Sequence, residues 1–219
     1  MTCACGGGHP PRRVALTGGP GAGKTAILEL VRRSLCSHVR VLPESAGILF
    51  GGGFPRGATN ELRCAAQRAI FFVQRELEAT ASSADVAVAL CDRGTVDSLA
   101  YWPGPEDLWR SVGTTLEEQL ARYHAVIHLR VPPVDEYNHR NPLRVETPEE
   151  AAAIDARIAA AWAGHPRRFE IPASPDFLAK ARRAIEIIRS ELPAGCMTLA
   201  RGKLDEGRAL ADRALSQTG

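Results

Sequence analysis

Val14-Ala15-Leu16-Thr17-Gly18-Gly19-Pro20-Gly21-Ala22-Gly23-Lys24-Thr25 is the stretch on which the reading of this chain turns. Val14 to Leu16 follow two arginines and read as a short buried strand. Gly18 to Thr25 then match the spacing GxxxxGK[ST], a Walker A phosphate-binding loop, or P-loop. Glycines let successive backbone N–H groups converge on an anion with no Cβ in the way. Ile27, Leu28, Val31 and Leu35 continue at helical spacing, so a helix would point its positive N-terminal end at the same anion. Gly18, Gly19, Pro20, Gly21, Ala22, Gly23, Lys24, Thr25 and Ala26 are therefore the expected ATP (or GTP) contacts. The chain has 24 Arg and only 3 Lys, which singles Lys24 out. Its ammonium is expected on the β- and γ-phosphates, and the Thr25 hydroxyl on Mg2+.

Outward from this stretch, 38–42, 86–90, 125–129 and 168–171 read as further strands. Helices are predicted over 24–35, 60–82, 148–163 and 175–192, with short ones near 94–101, 105–112 and 115–122. Leu62, Ala66, Ala69, Ile70, Val73 and Leu77 form the apolar stripe of the long helix. Residues 47–60 are glycine-rich and read as a mobile loop. Strands alternating with helices predict an α/β three-layer sandwich: a parallel sheet of about five strands with helices on both faces.

Ligands of such sheets sit at the C-terminal ends of the strands. Asp92 stands there after the third strand, where a Walker B carboxylate holds Mg2+. The next residue is Arg93, where many ATP-driven motors carry Glu. The sequence also lacks the NKxD and DxxG elements of a GTP switch. These observations leave a phosphotransferase as the leading class. Glu44 follows the second strand on the same rim and is the candidate that accepts the proton of an acceptor hydroxyl. Arg140 and Arg144 follow the fourth strand and fit a lid over the phosphates. The organisation is a flexible tail over 1–12, one P-loop kinase-like domain over 13–192 with a lid at about 135–150, and a tail or extra helix over 193–219.

GGPGAGKT, PESAG, AQRAIFFVQRELE, CDRGTVDSLAYW and NPLRVETPEEA occur in that order. In this the chain resembles the AAA-domain group typified by the kinase domain of NadR-type proteins, from about Val14 to Leu192. The resemblance implies a nucleoside-kinase-like fold, with Glu44, Asp92 and Arg93 lining the nucleotide site. It also implies that a Gln and an aromatic ring of the long helix grip a base. Gln67, Phe71, Gln74 and Glu78 share one face there, at i, i+4, i+7 and i+11. Asp97 and Tyr101, one turn apart, are candidates for holding a ribose or another polyol. No adenylyltransferase or repressor segment of the multi-domain NadR kind precedes the P-loop here.

Composition narrows the rest. The chain has 219 residues, 45% hydrophobic and 24% charged, which excludes global disorder and collagen. A net charge of +2 argues against a nucleic-acid binder. No run approaches the ~20 apolar residues of a membrane span. MTCACGGGHPPRR has no apolar core of a signal peptide, so a cytoplasmic protein is expected. The six cysteines show no paired CxxC spacing, so thiols are expected reduced and a zinc ribbon is not. Gly53-Phe54-Pro55-Arg56 matches a segment of adenylate kinases out of its usual place, and reads as coincidence. The leading expectation is a Mg2+-dependent kinase of a small, nucleoside-like hydroxyl acceptor. The alternative is a nucleotide-binding regulatory ATPase without one. Whether the chain forms a homodimer stays open.

Overall fold

The computed structural model describes residues 11–82, 86–104, 106–132, 147–194 and 196. Five strands, β1 (Arg12–Thr17), β2 (Val39–Leu42), β3 (Val88–Asp92), β4 (Ala125–Leu129) and β5 (Arg168–Ile171), form one parallel sheet in the order β2-β3-β1-β4-β5. β1 is central, so the loop leaving it has β3 and β4 on either side. β3 and β4 are nearly continuous apolar runs because both of their faces are covered.

Side chains alternate across the sheet and build two cores. Val14, Leu16, Leu90 and Ile127 pack under α1 (Lys24–Ser34) and α8 (Phe177–Ser190). Ala15, Cys91 and Val126 face the opposite way, toward Phe71, Ile158 and Trp162. That second layer holds α3 (Asn60–Thr80), α4 (Asp97–Tyr101), α5 (Leu108–Ser111) and α7 (Pro148–Ala161). The remaining helices are α2 (Ser45–Gly51) and α6 (Leu116–Ala121). Among the described residues, no helix is long and apolar enough to cross a membrane.

Four expectations are corrected here. Arg12 belongs to β1, not to a tail: its N–H donates to Ala87 at 2.9 Å and its guanidinium pairs with Glu191. Residues 47–51 of the glycine-rich segment are helical, as the end of a helix that starts at Ser45, with Ile48 N–H on the Glu44 carbonyl and Gly52 N–H on that of Ile48. Cys196 packs in the core instead of lying in a loose tail. The buried face of α3 is Ala66, Phe71, Gln74 and Glu78, whereas Leu62 is exposed. Polar partners turn the helix that way. Glu78 accepts from Tyr123 Oη at 2.5 Å and from Arg122, and Gln74 Nε2 donates to Glu78 at 3.0 Å. Of the range expected as a lid, 135–146 lies outside the described residues. Thr147 and Glu150 form the capping box that starts α7.

Candidate active site

The phosphate end is built from backbone. Gly23 is the N-cap of α1 in the left-handed region, φ 93°, with no side chain capping the helix. The first intrahelical bond runs from Ile27 N–H to the Gly23 carbonyl at 3.2 Å. The N–H groups of Lys24, Thr25 and Ala26 therefore have no partner inside the helix, and no acidic side chain sits in its first turn. Together with the helix dipole they form an anion site. Lys24 Nζ lies folded back on the Gly18 and Gly19 carbonyls, at 2.8 and 3.2 Å. Burial, and then the charge of Arg93, lower its pKa to about 8. An arriving triphosphate would reverse that shift.

Sequence reasoning missed the brace beneath this loop. Asp155 of α7 is buried, and its Oδ1 accepts from Gly19 N–H at 2.9 Å. The same oxygen meets His128 Nε2 at 2.8 Å, and Arg130 Nε stands 2.9 Å from Oδ2. The signal was present as Ala151, Asp155 and Ile158 on one stripe of a helix. A lone carboxylate on a buried stripe must have partners.

The rim beside the P-loop gathers charge. Asp92 ends β3, level with Leu16 of β1. Burial first, and then the charges of Glu44 and Asp97, raise its pKa to about 6. Its Oδ1 is buried without a hydrogen-bond partner. A buried carboxylate oxygen with nothing to accept, next to a phosphate cradle, fits a divalent cation, and Thr25 stands exposed at the second position of α1.

Arg93 follows at φ 70°, strained for a residue with a Cβ. That turn brings its side chain over the rim. Nε donates to Glu44 Oε1 at 2.7 Å, Nη1 lies 3.4 Å from Asp97 Oδ1, and the guanidinium sits 5.4 Å from the centre of the Tyr101 ring. Gly94 comes next because a Cβ there would meet the Trp162 ring at 2.8 Å and Tyr123 at 2.9 Å. Burial raises the pKa of Glu44, but the charge and hydrogen bond of Arg93, helped by Lys24 and Arg56, outweigh it. Glu44 is thus held ionised.

Beside this rim opens a cavity of about 450 Å³, a usual size for a small-molecule site. Glu44, Gln67, Arg93, Asp97 and Tyr101 line it, all residues singled out from sequence. Phe50, Pro55, Arg56, Arg63 and Ile70 also line it and were missed. Arg56 caps the Phe50 ring at 4.3 Å, so the Phe54-Pro55-Arg56 segment reaches the cavity wall.

Two expectations change. Phe71 and Gln74 are 1% exposed and lie outside the lining; Phe71 packs edge-on against Trp109. They serve the core, because the buried face of α3 is turned toward Glu78. Asp97 has no oxygen left for a polyol. It accepts from Thr17 Oγ1, from Gly94 N–H at 2.8 Å and from Trp162 Nε1 at 3.2 Å, besides facing Arg93. It positions Arg93. Arg140 and Arg144 lie outside the described residues.

Fold and site together define a P-loop protein of the kinase-like α/β class. Residues 13–179 match the AAA-domain family, and the chain belongs to that family. No curated protein matches the sequence. Among solved structures, thymidylate kinase from Candida albicans is 12% identical at a TM-score of 0.56, covering 83% of this chain and 92% of that one. An NadR protein in complex with NR is 16% identical at a TM-score of 0.64 and covers 83% of this chain. Only 52% of that NadR chain is covered, so this chain spans about half its length. Deoxyadenosine kinase from M. mycoides, with bound dATP, is 13% identical at 0.54, covering 81% and 98%. At these identities the likeness is one of fold.

Proposed function

We propose that the protein transfers the γ-phosphoryl group of ATP (or GTP) to a hydroxyl of a small, nucleoside-like molecule. The observation that carries this is the shared rim: the unpartnered N–H groups of α1 open beside a cavity of about 450 Å³, with Glu44 and Arg93 at its edge. A nucleotide switch needs the first feature and has no use for the second. Neighbours of the same fold, thymidylate and deoxyadenosine kinases and NadR complexes with NR and with AMP-PNP, support the reading.

In this reading, Lys24 leaves the Gly18 and Gly19 carbonyls for phosphate oxygens. The acceptor oxygen forms a bond to the γ-phosphorus, and the bond from that phosphorus to the bridging oxygen breaks, releasing the nucleoside diphosphate. The hydroxyl proton passes to Glu44 Oε2, because Oε1 already accepts from Arg93. Arg93, held charged by its carboxylate neighbours and Tyr101, faces the charge that builds on the phosphoryl group. Asp92 and Thr25 would hold Mg2+, which supplies charge neutralisation at the phosphate oxygens.

The test is a product assay. The protein is incubated with ATP, Mg2+ and pools of nucleosides, vitamins and sugars, and mass spectrometry looks for an acceptor heavier by one phosphate. A product from one nucleoside-like pool is expected. ATP consumption that no acceptor accelerates would overturn the proposal in favour of a regulatory ATPase.

A further inference from the structure

At the opposite end of the sheet, three side chains far apart in sequence converge. Cys36 follows α1, His38 precedes β2, and Cys196 lies beyond α8. One ligand atom from each lies within 4.8 Å of the other two, and His38 Nδ1 is 3.3 Å from Cys196 Sγ. The P-loop opens at the C-terminal end of β1, whereas His38 stands before the N-terminal end of parallel β2. The trio is therefore separate from the site described above. We propose that Cys36, His38 and Cys196 form a binding site for a thiophilic divalent cation of the zinc class, which ties the segment after α8 to the α1–β2 turn.

Donor chemistry and spacing carry this assignment. Zinc takes thiolate sulfur at about 2.3 Å and imidazole nitrogen at about 2.0–2.1 Å, so at tetrahedral angles its ligand atoms stand roughly 3.5–3.8 Å apart. The 3.3 Å contact is already close to that spacing. Even a separation of 4.8 Å needs a closure of only about 1.0–1.3 Å. Two thiolates neutralise a divalent charge, so the cation can enter a site that reaches into the core without an uncompensated charge.

The backbone that presents the ligands is fixed. Leu35 N–H donates to Val31 at 3.0 Å and Val39 N–H to the Cys36 carbonyl at 3.1 Å. The His38 carbonyl accepts from both Ala87 and Val88, and Cys196 N–H donates to Pro193 at 2.9 Å. Cys196 is fully buried, whereas His38 and Cys36 are half-buried, which leaves an entry path on their side. The fourth coordination position is left to a water molecule. His38 and Cys196 stand 158 residues apart, so the three donors show no spacing motif and cysteine counting does not find them.

The test uses the full chain, stripped with chelator under reductant and titrated with Co2+ and Zn2+. One equivalent of Co2+ is expected, with thiolate-to-cobalt charge-transfer absorption and the strong visible bands of a tetrahedral ion. Zn2+ at a hundredfold excess over its dissociation constant should raise the thermal midpoint by ~5 °C or more. Cys36→Ser combined with Cys196→Ser should lose both effects while still binding Mg-ATP, which separates loss of the site from loss of the fold. Cys3, Cys5 and His9 are present in both proteins, so the difference belongs to the trio. Absent cobalt bands in the parent protein would overturn the assignment. So would bands that persist in the double variant. A Cys36–Cys196 disulfide that forms on oxidation, with no metal bound by the reduced protein, would instead make the pair a redox element.

Discussion

The phosphate end and the acceptor end of the proposed active site touch, yet they are made in different ways. Gly18 to Ala26 are consecutive, and what they offer a ligand is backbone N–H groups and one ammonium. The acceptor end is assembled from side chains of three separate stretches: the β2–α2 turn with α2 and the segment after it, α3, and the β3–α4 turn with α4. Lys24 and Thr25 apart, the first can be rebuilt with any side chains that keep the turn. The second depends on which way each helix is rotated. The phosphate end should therefore respond to substitution in an all-or-none way, and the acceptor end by degrees.

The largest effect should come from Lys24→Met. It removes the ammonium meant for the phosphate oxygens, and phosphoryl transfer should fall by ~10³-fold or more. Steady-state turnover with the productive acceptor measures this; turnover like the parent's would reject the P-loop assignment. Next comes Glu44→Gln, expected to lower turnover by ~10²-fold if the carboxylate takes the hydroxyl proton. Nucleotide binding, followed by thermal shift, should survive in Glu44→Gln because the α1 N–H groups are untouched. Unchanged turnover in that variant would move the proton-accepting role to Asp92.

This contrast also marks what was legible in the sequence. All five strands and every helix except α2 could be read because buried parallel strands are continuous apolar runs and the helices repeat at their own period. The P-loop could be read because its function is local. The rotation of α3 could not. The apolar residues Leu62, Ala66, Ala69, Ile70, Val73 and Leu77 suggest one buried face, of which only Ala66 is fully buried. Tertiary partners chose another, since Glu78 meets Tyr123, Arg122 and Gln74 in the interior. Asp97 misled for a related reason. Its spacing from Tyr101 suggests a ligand grip, but Thr17, Gly94 and Trp162, all distant in sequence or hidden by the fold, occupy its oxygens. Asp155 could be suspected from its place on the apolar stripe of α7, but the backbone N–H that it holds has no sequence signature.

A pH profile should separate the two ends again. The Asp92 pKa is raised to about 6 by burial and by its carboxylate neighbours. Below about 6 the proton competes with Mg2+ for the same oxygen, so kcat/KM for Mg-ATP should fall about tenfold per unit there. Lys24, lowered to about 8 by burial and Arg93, loses its charge above that value, so a second limb should appear on the alkaline side. Asp92→Asn should lower activity and abolish the acid limb. Folding follows the opposite sign. The folded chain holds the Asp92 proton more tightly than the unfolded chain. This group's contribution to stability is therefore fully present below its usual pKa of 3.8 and is lost as pH rises through about 6. A profile without an acid limb would separate Asp92 from the metal.

The smallest and most discriminating effects concern two glutamines on one helix. Gln67 lines the cavity, whereas Gln74 is 1% exposed and donates to Glu78 at 3.0 Å. Sequence spacing gives them the same role; the fold gives them different ones. Gln67→Ala should raise the KM for the acceptor by ~5–10-fold, the worth of one hydrogen bond of ~1 kcal/mol, with the thermal midpoint nearly unchanged. Gln74→Ala should do the reverse. Glu78 keeps Tyr123 and Arg122 but loses an amide donor in the interior, costing ~1–2 kcal/mol and lowering the midpoint by ~3–6 °C, with KM preserved. If Gln74→Ala shifted KM and Gln67→Ala did not, the acceptor would lie on the other side of α3, and the cavity would have to be reassigned.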